Sequence, residues 1–561
     1  MRLVARTKAH LTKLYKRLCG VLAVSVAAGT IAFPAEVAAY TKDTFSNKQW
    51  AYYGNYNIGI EEVWNAGTGM NKEVIVAVID VGVDYKHEDL SSAMWINGDE
   101  VAEDEADNDG NGYINDRNGY NFFDDNGVIC NYAYSETSKQ YVDDHGTHIA
   151  GIIAAVADND MGVAGVASHS NVKIMSLKVL GEEEGNQEIR GSVTSLIKAI
   201  EYAEANGAAI CNMSLGYTVK DEELYQVMKN SDMLFICAAG NGMESSNGYG
   251  FNIDEKPEYP AAYDLDHIIS VANMNEKGYI DISSCYGANS VDIAAPGTNI
   301  ASTVVIEPDI TKRQGKYMLM TGTSMAAPMV TGAAAILASY YDGLTNLEIK
   351  EAILNGAAMN PKFGNKVAGN RMLNVAGALQ YCKERIALKT EIMPAAENSN
   401  NKIVTAKLGY KSSPVMKVVY AEGTQDAEDF VGGFEGIPLE WEENKAFFEV
   451  NQTGIYTIYA VCEDGTELTK EVFVEVPTIK KLKLSQNEKT MKKGSTDQLE
   501  AIIKPTNLYT NIRFESSDSK VVFVDEKGKI TAKSPGKAKI KVIVKDGNTK
   551  KKAVCKVVVT E

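Results

Sequence analysis

"KEVIVAVID", residues Lys72 to Asp80, is a run of six apolar residues closed by a carboxylate. The apolar residues are continuous rather than alternating, which predicts a strand covered on both faces, as in a parallel sheet. Five more runs of this kind follow: "VKIMSLKVL" (172–180), "AAICNMSL" (208–215), "DMLFICAAG" (232–240), "HIISVANM" (267–274) and "DIAAPG" (292–297). "THIAGIIAAVA" (147–157) and "SVTSLIKAIEYAEANG" (192–207) lie between them and read as helices, the second stopped by Gly207. Such alternation, from about Gln49 to Cys382, predicts an α/β fold: a parallel sheet with helices on both faces. Functional side chains in these sheets gather beyond the carboxyl ends of the strands, where Asp80 stands.

The pattern changes after about Leu388. Short strands such as "MKVVYAE" (416–422), "KAFFEV" (445–450) and "KEVFVEV" (470–476) are divided by Gly, Asn and Asp turns, and Pro477 marks a boundary. "QLEAIIK", "AKIKVIVKDG" and "AVCKVVV" then form a second all-β unit, so two small sandwiches in tandem are expected. A chain of 561 residues with 45% apolar and 23% charged residues has room for several globular domains. Its formal charge of −18 is uneven. From Val476 onward there are 20 Lys/Arg against 9 Asp/Glu, a balance of +11 that leaves −29 on the remainder. An acidic body argues against nucleic acid as a partner, and a basic tail suits an anionic surface such as a cell-wall polymer.

The first 39 residues read as a signal peptide. Arg2, Arg6, Lys8, Lys13, Lys16 and Arg17 precede an uncharged apolar stretch from Leu18 to Phe33, and Val37 and Ala39 suit a cleavage site. A secreted protein is therefore expected, with an uncleaved anchor as the alternative. Seven cysteines follow the cleavage site, so complete internal pairing is impossible, and Cys211 and Cys237 read as buried strand thiols.

Three polar groups occupy places where this architecture puts chemistry. Asp80 ends its strand. His145 opens "HGTHIAG" (145–151), where Gly146 permits close approach and a helix begins. His148, one turn further on, raises a zinc reading, against which no glutamate lies between the two histidines. Ser324 lies in "TGTSMAAPMV" (321–330) at the start of a helix read over Ala326–Ser339, a place that on its own suits a helix cap. Asn241 follows an apolar strand in "AAGN" (238–241), where its amide can serve as a donor or simply close a turn.

Together, "VIDVGVD" (78–84), "HGTHIAG", "AAGN" and "GTSMAAP" (322–328) resemble the four signature segments of the subtilisin-like serine proteases, in the same order. The resemblance covers about residues 50–382 and implies a subtilisin-like peptidase domain over 50–383. By it, Ser324 is the nucleophile, His145 the general base, Asp80 its orienting carboxylate and Asn241 an oxyanion donor. It implies that Ser214, Leu215 and Gly216 pair with an extended peptide substrate, and that Ala238, Ala239 and Gly240 wall the pocket for the side chain before the cut. Small walls admit bulky side chains, so an apolar preference is expected. Two departures stand out: Val81 replaces the usual Thr or Ser after the aspartate, and no propeptide is evident between the signal peptide and Trp50.

"DEADNDGNGYINDRN" (104–118) reads as a calcium loop, with Asp107, Asp109, Asn111, the Tyr113 carbonyl and Asn115 at ligand spacing around Gly112. Asn118 stands where a bidentate Glu is expected, and a plain acidic loop is the alternative. Catalysis needs no cofactor; calcium would be structural. The tail, 477–561, resembles the bacterial Ig-like domains of group 2 through "LKLS", "ESSDSKVVFVDEKGKITAKSPGKAKIKV" and "CKVVV". The middle unit, 388–476, is generically Ig-like. The leading expectation is a secreted serine endopeptidase; the alternative is a catalytically silent surface protein whose β domains do the binding.

Overall fold

The computed structural model describes residues 41–101, 104, 106–135, 140–182, 189–242, 247–306, 316–432 and 435–561. The segment 1–39, read as a signal peptide from the sequence, lies outside them.

Seven strands form the parallel body of the first domain: β1 (Val74–Asp80), β2 (Gly119–Asn121), β3 (Val172–Lys178), β4 (Ile210–Met213), β5 (Leu234–Ala238), β6 (Ile268–Met274) and β7 (Ile293–Pro296). A hairpin of β8 (Ile300–Thr303) and β9 (Tyr317–Met320) leads toward the serine. Two short strands, β10 (Ala358–Met359) and β11 (Arg371–Met372), complete the sheet, in the order β10-β11-β7-β6-β5-β4-β1-β3-β2. Only the β10–β11 edge pair is antiparallel.

β1 is apolar on both sides because both sides are covered. Val74, Val76 and Val78 pack with α1 (Asp144–Ala154) and α4 (Thr323–Tyr340), while Ala77 and Ile79 pack with α2 (Val193–Ala205) and α3 (Glu222–Asn230). Register then fixes the functional edge. Ile79 pairs with Met213 and Met213 with Cys237, so Asp80, Ser214 and Ala238 leave the sheet at one level.

Residues 388–474 form a three-stranded and a four-stranded antiparallel sheet, and residues 481–560 form a further all-β unit around Leu499, Ile530, Ile540, Val542 and Val557. The middle unit is docked firmly on the first. Tyr410 stacks edge-on against Tyr341 at 5.5 Å and donates to the Cys382 carbonyl at 2.8 Å, and Asp342 and Lys411 exchange backbone hydrogen bonds. Their apolar residues belong to one continuous core. All seven cysteines of the described residues are free and buried. Among the described residues no helix is long and apolar enough to cross a membrane.

Candidate active site

Asp80 closes β1 and is fully buried. Its Oδ1 lies 2.7 Å from Nδ1 of His145 and accepts the Val81 amide at 2.8 Å. Oδ2 has no hydrogen-bond partner among the described residues, in keeping with the valine at position 81. His145 is the second residue of α1, brought in by two glycines. Gly82 turns the chain with φ +118°, and a Cβ on Gly146 would stand 2.1 Å from the Gly82 carbonyl oxygen. No other residue fits there. Burial lowers the pKa of the imidazole, but the charge and hydrogen bond of Asp80 outweigh it, and the net shift is upward from 6.5. The carboxylate partner assigns the proton to Nδ1 and leaves Nε2 free to accept one.

An ion pair braces this corner. Lys178 lies beside Asp80 in the β1–β3 register, and its ammonium group sits 2.6 Å from Asp143 Oδ1 with both side chains fully buried. The same ammonium donates to the Val81 carbonyl, while Asp143 Oδ2 accepts the Asn131 amide at 2.9 Å. The pair thus ties the residue after Asp80 to the loop that delivers His145.

Ser324 is the second residue of α4, with Gly322 as its cap. The helix runs through Pro328, which has no N–H for the carbonyl four residues back. That carbonyl belongs to Ser324. The Ser214 hydroxyl supplies the missing donor at 3.0 Å, and the Ser324 hydroxyl in turn donates to the Ser214 carbonyl at 3.3 Å. Asn241 is held by its oxygen, which accepts the Thr323 amide at 3.0 Å. A Cβ on Gly322 would lie 3.5 Å from Asn241 Nδ2 and 3.7 Å from the Ser324 nitrogen, so both donors border one small space.

Ser214, Leu215 and Gly216 continue from β4 outside any ladder of the sheet, and Ala238, Ala239 and Gly240 (φ +97°) continue from β5. Between the two segments stands Glu258, which the sequence reading did not single out. A Cβ on Gly216 would meet its Oε2 at 3.4 Å, and one on Gly240 its Cγ at 3.3 Å.

His148 has a structural part. Its Nε2–H points at the carbonyls of Ile300 (3.0 Å) and Met318 (3.1 Å), stitching α1 to β8 and β9, and burial drives its pKa down to about 3. Among the described residues neither His145 nor His148 belongs to a group of ligand atoms that converge on a metal, so this geometry lends the zinc reading of the pair no support. In the acidic loop, Asp107 turns its carboxylate onto the amides of Gly110 (2.7 Å) and Gly112 (2.9 Å). The carboxylates that converge are Asp109 with Glu100 and Asp116, within 4.8 Å of one another. Asn111 joins them, donating to Asp109 and Asp116, while Asn115 (φ +58°) donates its amide to Glu100. The Tyr113 ring packs on Tyr120, Phe122 and Tyr202. Glu100 and Asp116 were not among the expected ligands, and their burial shows only in the fold.

The sheet order and the Asp80–His145 contact at its carboxyl edge define a parallel α/β domain of one recognisable class. The chain belongs to the subtilase family, whose profile matches residues 71–404. A second profile, the bacterial Ig-like domain of group 2, matches residues 478–555. Among its relatives, a thermophilic serine proteinase of Bacillus sp. (strain AK1) is 32% identical over 320 residues, 56% of this chain and 64% of that one. The major intracellular serine protease of Bacillus subtilis (strain 168) is 34% identical over 295 residues, 52% of this chain and 76% of that one. The extracellular basic protease of Dichelobacter nodosus is 32% identical over 311 residues, 54% of this chain and 48% of that one. The chain thus spans between about half and three quarters of these relatives.

Proposed function

We propose that this chain is a secreted serine endopeptidase that cuts peptide bonds through Asp80, His145 and Ser324. The observation that carries the reading is the 2.7 Å Asp80–His145 contact at the strand edge from which Ser214, the partner of the Ser324 hydroxyl, also leaves. In this reading the Ser324 hydroxyl gives up the Ser214 carbonyl and donates to His145 instead. Nε2 takes the proton as Oγ attacks the scissile carbonyl, and the tetrahedral oxyanion meets Asn241 Nδ2 and the Ser324 amide. Nε2 then returns the proton to the leaving amine, and an acyl-enzyme on Ser324 is released by water through the same base. A side-chain donor of the Asn241 kind is worth about 100- to 1,000-fold in turnover. The upward shift of His145 suits a base that must also hold a transient charge.

The basic segment followed by an apolar one at the N-terminus supports export. Calcium is proposed as a structural ion held by Asp109, Glu100 and Asp116. Three carboxylates converge there, and none has a cationic side chain in ion-pair contact among the described residues. The ion would hold the loop together and takes no part in the chemistry. The substrate is a peptide or protein chain.

A fluorophosphonate probe tests the reading. It is expected to label the parent on Ser324 and to leave Ser324→Ala unlabelled, with peptide turnover lowered by more than about 1,000-fold. An unlabelled but folded parent would instead support the silent surface protein. An alanine variant within tenfold of the parent would overturn the assignment.

A further inference from the structure

We propose that Glu258 forms the floor of the pocket receiving the side chain before the scissile bond and selects lysine or arginine there. This rests on the proposed peptidase reading, which places that pocket between the segments 214–216 and 238–240.

Glu258 is only 5% exposed, and its Oε1 has no hydrogen-bond partner among the described residues. It is held in place by its neighbour, because Tyr217 and Tyr259 exchange two backbone hydrogen bonds of 2.8 Å. That bridge carries the segment ahead of Tyr259 alongside 214–216, and the acid fills the gap between Gly216 and Gly240. Both bordering positions lack a Cβ, so neither places a side chain against the carboxylate. Asn241, next to Gly240, and Ser214, two residues before Gly216, bind the Ser324 segment. The acid therefore borders the two segments that also hold the start of the Ser324 helix.

Burying a carboxylate without a partner is costly, and the cost falls when an opposite charge arrives. No lysine or arginine pairs with Glu258 among the described residues. Cys285, whose sulfur would lie 3.6 Å from a Cβ on Gly240, is a buried neutral thiol and supplies no positive charge. The missing cation can come from the substrate. An extended lysine or arginine is long and thin enough to pass two glycines and ends in donors that a carboxylate accepts. The small walls of Ala238, Ala239 and Gly240 thus serve a polar floor, not the apolar one expected from the walls alone.

The test is a panel of peptides identical except for Lys, Arg, Met, Phe or Glu before the cut, with kcat/KM measured for the full chain and for Glu258→Gln. Lys or Arg should exceed Met by about 10- to 100-fold in the parent, the range for a desolvated charge pair in a site of this kind. Glu258→Gln should reduce the Lys/Met ratio by a similar factor, and Glu258→Asp should restore part of it. A parent that prefers Phe or Met to Lys overturns the proposal, and so does a ratio unmoved by the glutamine. The parent series decides the matter even if the variant does not fold. Loss of cleavage for every peptide, together with no probe label on Ser324, would instead bring down the peptidase reading itself.

Discussion

Replacing Lys178 by methionine puts the ion pair beside the site to the test. Its ammonium group and the Asp143 carboxylate are 2.6 Å apart with both side chains at 0% exposure. Removal of the cation leaves Asp143 Oδ1 and the Val81 carbonyl without their donor, while Oδ2 keeps the Asn131 and Tyr132 amides. Breaking one side of a buried pair costs about 3–5 kcal/mol, because the remaining charge stays desolvated. Lys178→Met combined with Asp143→Asn should cost clearly less, since an amide oxygen can still accept the two backbone N–H groups and no charge is stranded. The non-additive part should be about 1–3 kcal/mol. Urea unfolding in a Ser324→Ala background, which suppresses self-digestion, measures this through the fluorescence of Trp50, Trp64 and Trp95. Activity in the parent background should fall as well, because the pair links Val81 to the loop that carries His145. A single variant within about 1 kcal/mol of the parent, or a double variant as unstable as the single, would refute the reasoning.

Four further outcomes are expected. Since the pKa of His145 is raised, kcat/KM should increase with pH through a midpoint above 6.5, and a midpoint below 6.5 would contradict the Asp80 contact. His148 works in the other direction. Its folded pKa of about 3 lies below the ordinary 6.5, so its stabilisation is complete above pH 6.5 and is lost as pH falls toward 3. The slope is about 1.4 kcal/mol per pH unit, and His148→Gln should flatten it; equal slopes would refute the account. Saturating calcium should raise the melting temperature, by about 2.7 kcal/mol of stabilisation at a hundredfold excess over Kd, and Asp109→Asn should remove most of that gain. Finally, a chain ending near Glu475 should retain peptide hydrolysis but lose salt-sensitive sedimentation with cell walls, because the +11 charge lies beyond that point. Equal sedimentation at low salt would make the tail a spacer.

The strands were legible because they follow from periodicity, while Asp80, His145 and Ser324 were singled out by their motifs and their order along the chain. The runs 72–80, 208–215 and 232–240 read as strands, and register brings Asp80, Ser214 and Ala238 within them to one level. The helix over Ala326–Ser339 proved to begin at Thr323, so Ser324 lies inside its first turn. What escaped notice was pairing across the fold. Lys178 reads as the polar end of a strand, and only three-dimensional packing shows that it is fully buried against Asp143. Glu258 sits in "EKPEYP", where nothing local separates a pocket acid from a loop acid. Glu100 precedes the acidic loop and lies outside its spacing rule. The partnership of Ser214 with Ser324 could have been suspected, since a proline four residues after a serine leaves a carbonyl in need of a donor.

The docking of Tyr410 against Tyr341 and Cys382 has a consequence in time. A chain is made from its N-terminus, and Tyr410 follows Ser324 by 86 residues. At roughly 5–20 residues per second, the apolar face around Tyr341 waits several seconds for its cover. Until then the last helices of the first domain have an uncovered side. Chaperones and proteases would therefore meet a nascent chain whose nucleophile has already been made but whose core is not yet closed.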